Sequence, residues 1–341
     1  MPRETHAMPA RHSCYPFIPL FVQVIIIMSL ARPSWATPIP PFQSVLAAAP
    51  SLFPRKAVVE NRDGQIVVID SDSLQFIPQG PASDGSGSAF NAAAIIWFLF
   101  AFAIGVPLTI AGIRGSRFTT AVATGLALAL GGWAAIINTM GVPDIGDIPL
   151  TLIVLGMYVG GFSLGLFSFA RAGGIALLCL EGGFAVGVRA VIMKDNLLLP
   201  IYGVNWVIVA VTTVASAILL LFRQRAAILL SATSCGTFLT GLGVDLILHK
   251  QDGMSRGLRS LFDRNSAHIA DLIGNGYHPT ISTIIVIGVS LAVIPVAAFA
   301  QHKIFTKPFY PTDSDDDEVL EDLKSRIASK FFEKPPSRFS M

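Results

Sequence analysis

The chain has 341 residues, of which 52% are hydrophobic and only 13% charged, and its formal net charge is +2. Soluble proteins average about 25% charged residues, so a soluble chain of this composition would be short of polar surface. The near-neutral charge, with no basic patch interleaved with aromatic residues, argues against nucleic acid as a partner. The composition therefore predicts an integral membrane protein, with membrane lipids as its first partners.

The first predicted element, at residues 1–36, has the form of a secretory signal peptide. Two arginines precede a short apolar core at residues 17–31, and Ser34 and Ala36 supply the small residues of a cleavage site. An uncleaved anchor helix is the alternative, because a glutamine interrupts the apolar core. Either way, the chain that follows begins on the luminal or extracellular side.

Residues 37–88 make up this luminal or extracellular segment. Between Lys56 and Asp70 the sequence alternates, and the letters NRDG at residues 61–64 are typical of a tight turn, so a β-hairpin is predicted. A hairpin alone is marginally stable in water. We therefore predict no independently folded domain in this segment.

Seven apolar stretches follow, each long enough to cross about 30 Å of hydrocarbon as a helix. They lie at residues 90–112, 118–139, 149–170, 172–193, 200–222, 226–248 and 280–300. Helices are required because lipid offers no hydrogen-bond partners to open backbone groups. The predicted fold class is therefore an all-α integral membrane protein, with a seven-helix domain at residues 89–308 and a tail at residues 309–341.

Positive charges in the joints between spans predict the orientation. The short joints after the first, third and fifth spans carry Arg114, Arg117, Arg171, Arg223 and Arg225. The opposite joints carry two aspartates and then a single lysine beside an aspartate. Because arginine and lysine concentrate in cytosolic joints, the N-terminus is predicted to be luminal or extracellular and the C-terminus cytosolic, in the plasma membrane or an endomembrane. The five arginines are predicted to be topology anchors and not a binding site.

Arg117, Arg171 and Arg225 are equally spaced, and Gly182 and Gly236 follow the last two at equal distances. Two spans with two short joints have about this length in any case, but the shared glycines favour a duplicated hairpin. We therefore predict three consecutive helical hairpins and a final span, with all hairpins running in the same direction. This is unlike the inverted repeats of many transporters.

Glycine pairs at four-residue spacing predict close helix packing. Such small faces let helix backbones approach in lipid, where no hydrophobic effect drives helices together. The pairs are Gly156 with Gly160, Gly161 with Gly165, and Gly183 with Gly187.

Three ionisable side chains enter the membrane zone: Glu181 in the middle of the fourth span, and Arg189 and Asp245 near the luminal ends of the fourth and sixth spans. Residues at such depth face the bundle interior or a water-filled path. Arg189 and Asp245 count to nearly the same depth from the cytosolic arginines, so an ion pair between them is predicted, as a structural rather than a functional feature. Glu181 is either a neutral, hydrogen-bonded structural residue or part of a cation or proton route.

No catalytic, cofactor or metal site is predicted. The letters GFSLG at residues 161–165 match the G-x-S-x-G pattern of serine hydrolases, but a nucleophilic Ser163 needs a base within hydrogen-bond reach. None of the six histidines lies inside a predicted span. Cys179 and Cys235 lie in apolar runs without the spacing of a metal pair. We therefore expect a protein that is not an enzyme.

Two segments outside the spans are candidate partner surfaces. The luminal loop at residues 249–278 places Met254, Leu258 and Leu261 at helical spacing among charges, which predicts an amphipathic helix in the membrane interface or, as the alternative, a partner-binding helix. The cytosolic tail also contains an amphipathic pattern. In it, Ser314 precedes three aspartates and is a candidate phosphorylation site.

Four segments carry a resemblance to a known family. The stretches at residues 111–125, 205–210, 223–248 and 250–265 resemble a fungal branch of seven-span proteins. That branch belongs to the domain family named after transmembrane protein 198 and seven-transmembrane superfamily member 3. The likeness extends over essentially all the spans. It implies a signal-bearing multipass membrane protein with no catalytic motif to transfer.

The function expected from these observations is that of a non-enzymatic scaffold or regulatory component of the secretory pathway or plasma membrane. The first alternative is an ion or small-solute channel or transporter with Glu181 in its pathway. The second alternative is an atypical seven-helix receptor, whose ligand would bind the loop at residues 249–278.

Overall fold

The computed structural model of the protein describes residues 57–62, 65–71, 73–80, 91–140 and 146–306. The predicted signal peptide and the tail with Ser314 lie outside these residues. Within them, the chain folds into a bundle of long helices that carries two short helices and a strand pair at one end.

Seven long helices form the bundle: α1 (Ala92–Ala111), α2 (Ser116–Thr139), α3 (Asp147–Gly165), α4 (Arg171–Val191), α5 (Tyr202–Phe222), α6 (Gln224–His249) and α9 (Ile281–Ile304). Two short helices lie between α6 and α9, namely α7 (Met254–Phe262) and α8 (Ile269–Asn275). Among the residues that the structure describes, seven helices are long and apolar enough to cross a membrane. The predicted seven-span architecture is therefore confirmed.

The two ends of the bundle differ in the joints they carry. We call the end formed by the joints after α1, α3 and α5 the arginine end, because the five predicted anchors lie in these joints or in the adjoining helix turns. The opposite end, which carries α7 and α8, is the loop end. Asn91 precedes α1 there, and its side chain accepts a hydrogen bond from the Ala94 N–H at 3.0 Å. Thr280 precedes α9 there, and its hydroxyl accepts a hydrogen bond from the Thr283 N–H at 3.3 Å. Both caps satisfy backbone donors that a helix leaves open.

α6 is the central helix of the bundle. In its apolar stretch 67% of the residues are buried, against 61% in α4 and 17% in α5. It packs against α1, α4, α5 and α9. The buried residues of α6 include Ser231, Ser234 and Thr237, so the centre of an otherwise apolar bundle is lined with hydroxyl groups.

The grouping of the helices differs from the three hairpins predicted from the arginine spacing. The most extensive contacts join α2 with α3, α1 with α6, and α4 with α5. Helices joined at the arginine end pack less, since α5 contacts α6 moderately and neither α1 with α2 nor α3 with α4 forms an extensive contact. The equal spacing therefore marks where the chain turns, but it does not determine which helices pair.

The two glycines of the predicted repeat are both sites of close helix contact. A Cβ atom on Gly182 would overlap the Cα atom of Ser231 in α6, and a Cβ atom on Gly236 would lie 2.6 Å from the backbone nitrogen of Thr109 in α1. A side chain at either position would therefore push α6 away from its neighbour. Close approach of backbones supplies the packing that holds helices together in lipid.

Two of the three predicted glycine pairs pack as expected. The pairs that begin at Gly161 and Gly183 face α2 and α5, respectively. Among the described residues, nothing lies within 4 Å of a Cβ position on Gly156 or Gly160, so the prediction that this pair packs between helices is wrong. Four-residue spacing places two glycines on one side of α3 without saying which side is turned inward.

Gly182→Ala is expected to destabilise the bundle, because the new methyl group would overlap the Ser231 backbone. Overpacking of this kind lowers stability by about 1–3 kcal/mol. Gly160→Ala is the matched control, since a methyl group there would meet no atom of the described part of the chain within 4 Å. Thermal unfolding of both variants in the same detergent checks the prediction. A Gly182→Ala protein as stable as the control would contradict the close contact of α4 with α6.

α7 folds back onto the loop end of the bundle. Met254 and Leu261 are fully buried and belong to one apolar cluster with Val191, Ile192 and Ile287. The apolar side of α7 is therefore buried in the bundle, where α7 packs against α6. The prediction that this side meets the membrane interface is wrong. An amphipathic pattern has the same form whether its apolar side meets lipid or protein.

Tyr277 fastens the end of the loop to α4. The side chain is buried, and its hydroxyl donates a hydrogen bond to the carbonyl oxygen of Ile192 at 2.7 Å. Burial raises the pKa of Tyr277 above its ordinary value, and the carboxylates of Asp245 and Asp195 act in the same direction. The folded protein therefore holds this phenol in its neutral, hydrogen-bond-donating form.

The strand pair lies against the same end of the bundle. β1 (Ala57–Arg62) and β2 (Gln65–Asp70) are antiparallel, in the register of a two-residue turn. Further along the chain, the N–H of Gly80 donates to the carbonyl oxygen of Ala267 at 3.1 Å. This contact with the loop gives the hairpin the support that an isolated hairpin lacks in water.

Candidate functional site in the bundle interior

Glu181 lies in the middle of α4 with its carboxylate inside the bundle. Both carboxylate oxygens are buried, and neither has a hydrogen-bond partner among the described residues. The neighbouring Gly182 lies directly against Ser231 of α6, so Glu181 stands beside the contact of α4 with α6. The hydrogen-bonded alternative drawn from the sequence thus has no protein partner for Glu181 in the described part of the chain.

Further hydroxyl and thiol groups occupy the same region of the bundle. The hydroxyl of Tyr158 is also buried without a partner in the described part of the chain. Cys179 is buried in the same helix as Glu181, and the hydroxyl oxygens of Ser231 and Ser216 are 3.1 Å apart. The helices α3, α4, α5 and α6 thus each contribute a polar group to the interior around Glu181.

Arg189 is fully buried on the loop-end side of Glu181. Its Nη2 donates to the carbonyl oxygen of Ser234 and, at 3.2 Å, to the hydroxyl of Thr237. The guanidinium carbon lies 5.2 Å from the centre of the Phe238 ring, while Nε and Nη1 have no partner within the described residues. Because two helical turns separate Glu181 from Arg189, the residues lie about 12 Å apart along the axis of α4.

Asp245, also fully buried, lies near the end of α6 and is held by the loop end. Its Oδ1 accepts a hydrogen bond from the Thr283 hydroxyl at 2.8 Å and lies 3.0 Å from Nδ1 of His249. Its Oδ2 accepts from the N–H of Met254. The predicted ion pair between Arg189 and Asp245 is therefore wrong, since each side chain has other partners.

An offset between α4 and α6 explains why the two charges do not meet. Gly182, which is 11 residues after Arg171, contacts Ser231, which is only six residues after Arg225. Asp245 therefore lies about 7.5 Å closer to the loop end than a count from the arginines suggests. The joints that carry Arg171 and Arg225 therefore lie at different levels along the bundle axis.

Two further residues join Asp245 at the loop end, and sequence reasoning missed both as site residues. His249 is the last residue of α6, and its Nε2 lies 2.7 Å from the hydroxyl of Ser282 and 3.0 Å from that of Thr280. The i, i+4 spacing of Asp245 and His249 on one helix is the signal that would have paired them. Ser282 has no such signal, because its histidine partner lies 33 residues away in the chain.

The five predicted anchors all lie at the arginine end. Arg225 donates to the carbonyl oxygens of Phe305 and Thr306, and the guanidinium of Arg114 lies 6.0 Å from the Phe305 ring. These contacts tie two of the arginine joints to the end of α9. The other three arginines lie at helix starts. Arg117 is the second residue of α2, Arg171 is the first residue of α4, and Arg223 directly precedes α6. The orientation of the chain across the membrane stays a prediction.

Ser163 of the G-x-S-x-G match lies on an exposed side of α3. Its hydroxyl donates to the carbonyl oxygen of Val159, one turn earlier, at 2.8 Å. The neighbouring Gly161 and Gly165 face α2. The match therefore marks a helix contact made by the glycines, with the serine facing away from it.

A bundle of seven long apolar helices, with its ionisable groups buried inside or gathered at the ends, defines an integral multipass membrane protein. The chain matches the model of the TM7S3/TM198-like domain over residues 98–302, which is more than half of its length, and it belongs to that family. The match confirms the family resemblance drawn from the sequence. No curated protein and no solved structure shows significant similarity to the chain.

Proposed function

We propose that the seven-helix domain carries protons across the membrane, with Glu181 as the group that binds and releases them. The proposal rests on the buried carboxylate, whose two oxygens have no partner among the described residues. An ionised carboxylate in such surroundings loses its hydration without compensation. A proton or a small cation bound there removes that penalty, so the group is suited to taking up a positive charge inside the membrane.

Arg189 favours a proton over a metal cation as the species carried. Its fixed positive charge lies about 12 Å from Glu181 along α4, and two of its nitrogens have no partner in the described part of the chain. This charge opposes a metal ion that moves along the bundle interior, and it also favours release of the proton from Glu181. The hydroxyls of Tyr158, Ser216 and Ser231 supply groups between which a proton can pass.

The full-length protein in liposomes is expected to conduct protons, and Glu181→Gln is expected to abolish the flux, because an amide does not titrate. A pH-sensitive dye trapped inside the liposomes measures the flux under an imposed membrane potential. Asp252→Asn is the matched control, since the Asp252 side chain is 75% exposed at the loop end. This control should conduct like the wild-type protein.

Two results would count against proton transport. Equal flux in the wild-type protein and in Glu181→Gln would remove Glu181 from the pathway. A wild-type protein that conducts no protons, metal cations or anions would reject transport altogether. Circular dichroism and gel filtration of each variant establish that a lost flux is not a lost fold.

A non-enzymatic scaffold or regulatory role is the second candidate. The close contact of α1 with α6 favours it, because tightly packed helices leave no room for a conducting path between them. A Cβ atom on Gly105 would lie 2.8 Å from the carbonyl oxygen of Gly236, so these two backbones touch. A protein partner would meet the half-buried side of α7, where the Arg256 side chain is 25% exposed. The flux measurement separates the candidates, since a scaffold conducts nothing whichever residue stands at position 181.

A further inference from the structure

We propose that Ser282, His249 and Asp245 form a catalytic relay at the loop end, and that this relay hydrolyses the acyl esters of membrane lipids. The activity is separate from proton transport at Glu181 and does not depend on it. The expectation that the protein is not an enzyme rested on the positions of the histidines relative to the predicted spans. α6 extends one residue beyond the predicted sixth span, and that residue is His249.

The three side chains have the order and spacing of a nucleophile, a base and an acid. Oγ of Ser282 lies 2.7 Å from Nε2 of His249, and Nδ1 of His249 lies 3.0 Å from Oδ1 of Asp245. The two imidazole nitrogens thus face a hydroxyl and a carboxylate, as in a base that takes a proton from serine while the carboxylate fixes its tautomer. The hydroxyls of Thr280 and Thr283 lie 3.0 Å and 3.2 Å from the same two nitrogens and hold the ring in place.

Exposure increases from the acid to the nucleophile. The side chain of Asp245 is 0% exposed and that of His249 15% exposed, whereas Ser282 is an exposed residue. The buried carboxylate is fixed by the N–H of Met254 and the hydroxyl of Thr283. A buried acid orients the base, and an exposed hydroxyl can reach a substrate.

The start of α9 supplies donors for the negative charge that develops in ester hydrolysis. Ser282 is the second residue of this 24-residue helix. The N–H groups in the first turn of a helix have no partner inside the helix and favour negative charge. The N–H of Thr283 is taken by the Thr280 hydroxyl. The N–H groups of Ile281 and Ser282 lie in the same first turn, where they can stabilise the oxyanion formed when the serine attacks an ester.

Apolar side chains near Ser282 define the class of substrate. Leu248, beside His249, is 57% exposed, and Ile281 and Ile285 are 79% and 58% exposed. Ile285 follows Ser282 by three residues and so shares its side of α9. These side chains lie at the ends of membrane helices, where they can cover the acyl chain of a lipid ester and gain from its burial. A short, soluble ester would gain little from them.

The reaction balances with water as the second substrate. Oγ of Ser282 bonds to the acyl carbon while its proton passes to Nε2 of His249. The ester C–O bond then breaks, and His249 returns the proton to the leaving alcohol. Water attacks the acyl-serine with His249 as base, which releases the fatty acid and restores the serine hydroxyl.

A fluorophosphonate probe with a long alkyl chain tests the relay, because it reacts with an activated serine hydroxyl. The full-length protein in phosphatidylcholine liposomes is expected to be labelled at Ser282, as located by peptide mass spectrometry. Ser282→Ala should abolish the label, and His249→Gln should slow labelling by about 100-fold. Ser163→Ala is the matched control, because it removes the serine of the G-x-S-x-G match on α3, and it should label like the wild-type protein.

An unlabelled wild-type protein, or equal labelling of Ser282→Ala, would overturn the proposal. Ser282→Cys gives a second measurement that needs neither ester nor phosphonate. Beside an imidazole base, this thiol should ionise below its usual pH, so its alkylation by iodoacetamide should stay fast near about pH 6. Replacing His249 as well should slow that alkylation, and an unchanged rate would overturn the relay.

The acyl-chain preference tests the substrate class. Purified protein in mixed micelles is expected to hydrolyse p-nitrophenyl decanoate faster than p-nitrophenyl acetate. Preference for the acetate would overturn the assignment to lipid esters. None of these measurements depends on proton flux, so the catalytic relay and the role of Glu181 are tested independently.

Discussion

Asp245→Ala is expected to release α7 from the bundle and to lower the free energy of unfolding by about 3 kcal/mol, because each buried donor left without an acceptor costs about 1–3 kcal/mol. The carboxylate is fully buried and holds the N–H of Met254, the hydroxyl of Thr283 and the ring of His249. A Cβ atom on Gly253 would overlap the carboxylate, which therefore sits directly on the backbone that begins α7. Alanine would leave the Met254 N–H buried without its acceptor.

Tryptophan fluorescence reports this release. Phe262, the last residue of α7, contacts Trp133 and Trp206 edge-on, with ring centres 5.4 Å and 5.3 Å apart. Undocking of α7 removes Phe262 from both indole rings, so their emission should change when the loop detaches. Unfolding in mixed detergent micelles, followed by this emission, measures the loss of stability.

Asp252→Ala is the control for the loss of a carboxylate as such. The Asp252 side chain is 75% exposed, and its ion pair with Arg256 lies at the surface. Such a pair contributes about 1 kcal/mol at most, so this variant should unfold close to the wild-type midpoint. If Asp245→Ala also unfolded at the wild-type midpoint, the prediction would be contradicted, and contacts other than those of Asp245 would hold the loop.

The number and limits of the spans could be predicted because they depend on one quantity, the length of the apolar runs. The fifth span, predicted at residues 200–222, is α5 at Tyr202–Phe222, and the sixth, predicted at 226–248, is α6 at Gln224–His249. The place of Glu181 in the middle of its helix follows from the same count. Family membership depends on these same spans and was confirmed with them.

Contacts between helices could not be predicted in this way. The offset between α4 and α6 is set by a glycine contact, and no count along the chain contains it, so the pairing of Arg189 with Asp245 failed. His249 was left outside its helix by a boundary difference of one residue, which is within the ordinary uncertainty of helix ends. Ser282 joins these residues only through the fold.

Arg189→Met is expected to leave the stability of the bundle unchanged or to raise it, while proton flux is lost. The guanidinium is fully buried, and within the described residues only Nη2 has partners, the carbonyl oxygen of Ser234 and the Thr237 hydroxyl. Replacing buried ionic groups with apolar side chains of similar volume is often neutral or stabilising by about 1–4 kcal/mol. Arg256→Met, on the exposed pair at the loop end, is the control for the loss of an arginine.

The same variant separates a functional arginine from a structural ion pair. If Arg189 neutralised Asp245, Arg189→Met would leave that carboxylate buried and unpaired, at a loss of about 3–5 kcal/mol. Because the side chains of Arg189 and Asp245 do not pair, the double variant Arg189→Met with Asp245→Ala should change the free energy of unfolding by the sum of the two single changes, to within about 0.5 kcal/mol. A double-mutant cycle of unfolding free energies measures this coupling. Stability that rises while flux falls would identify Arg189 as a charge retained for function, because the packing of the bundle alone would favour an apolar residue there.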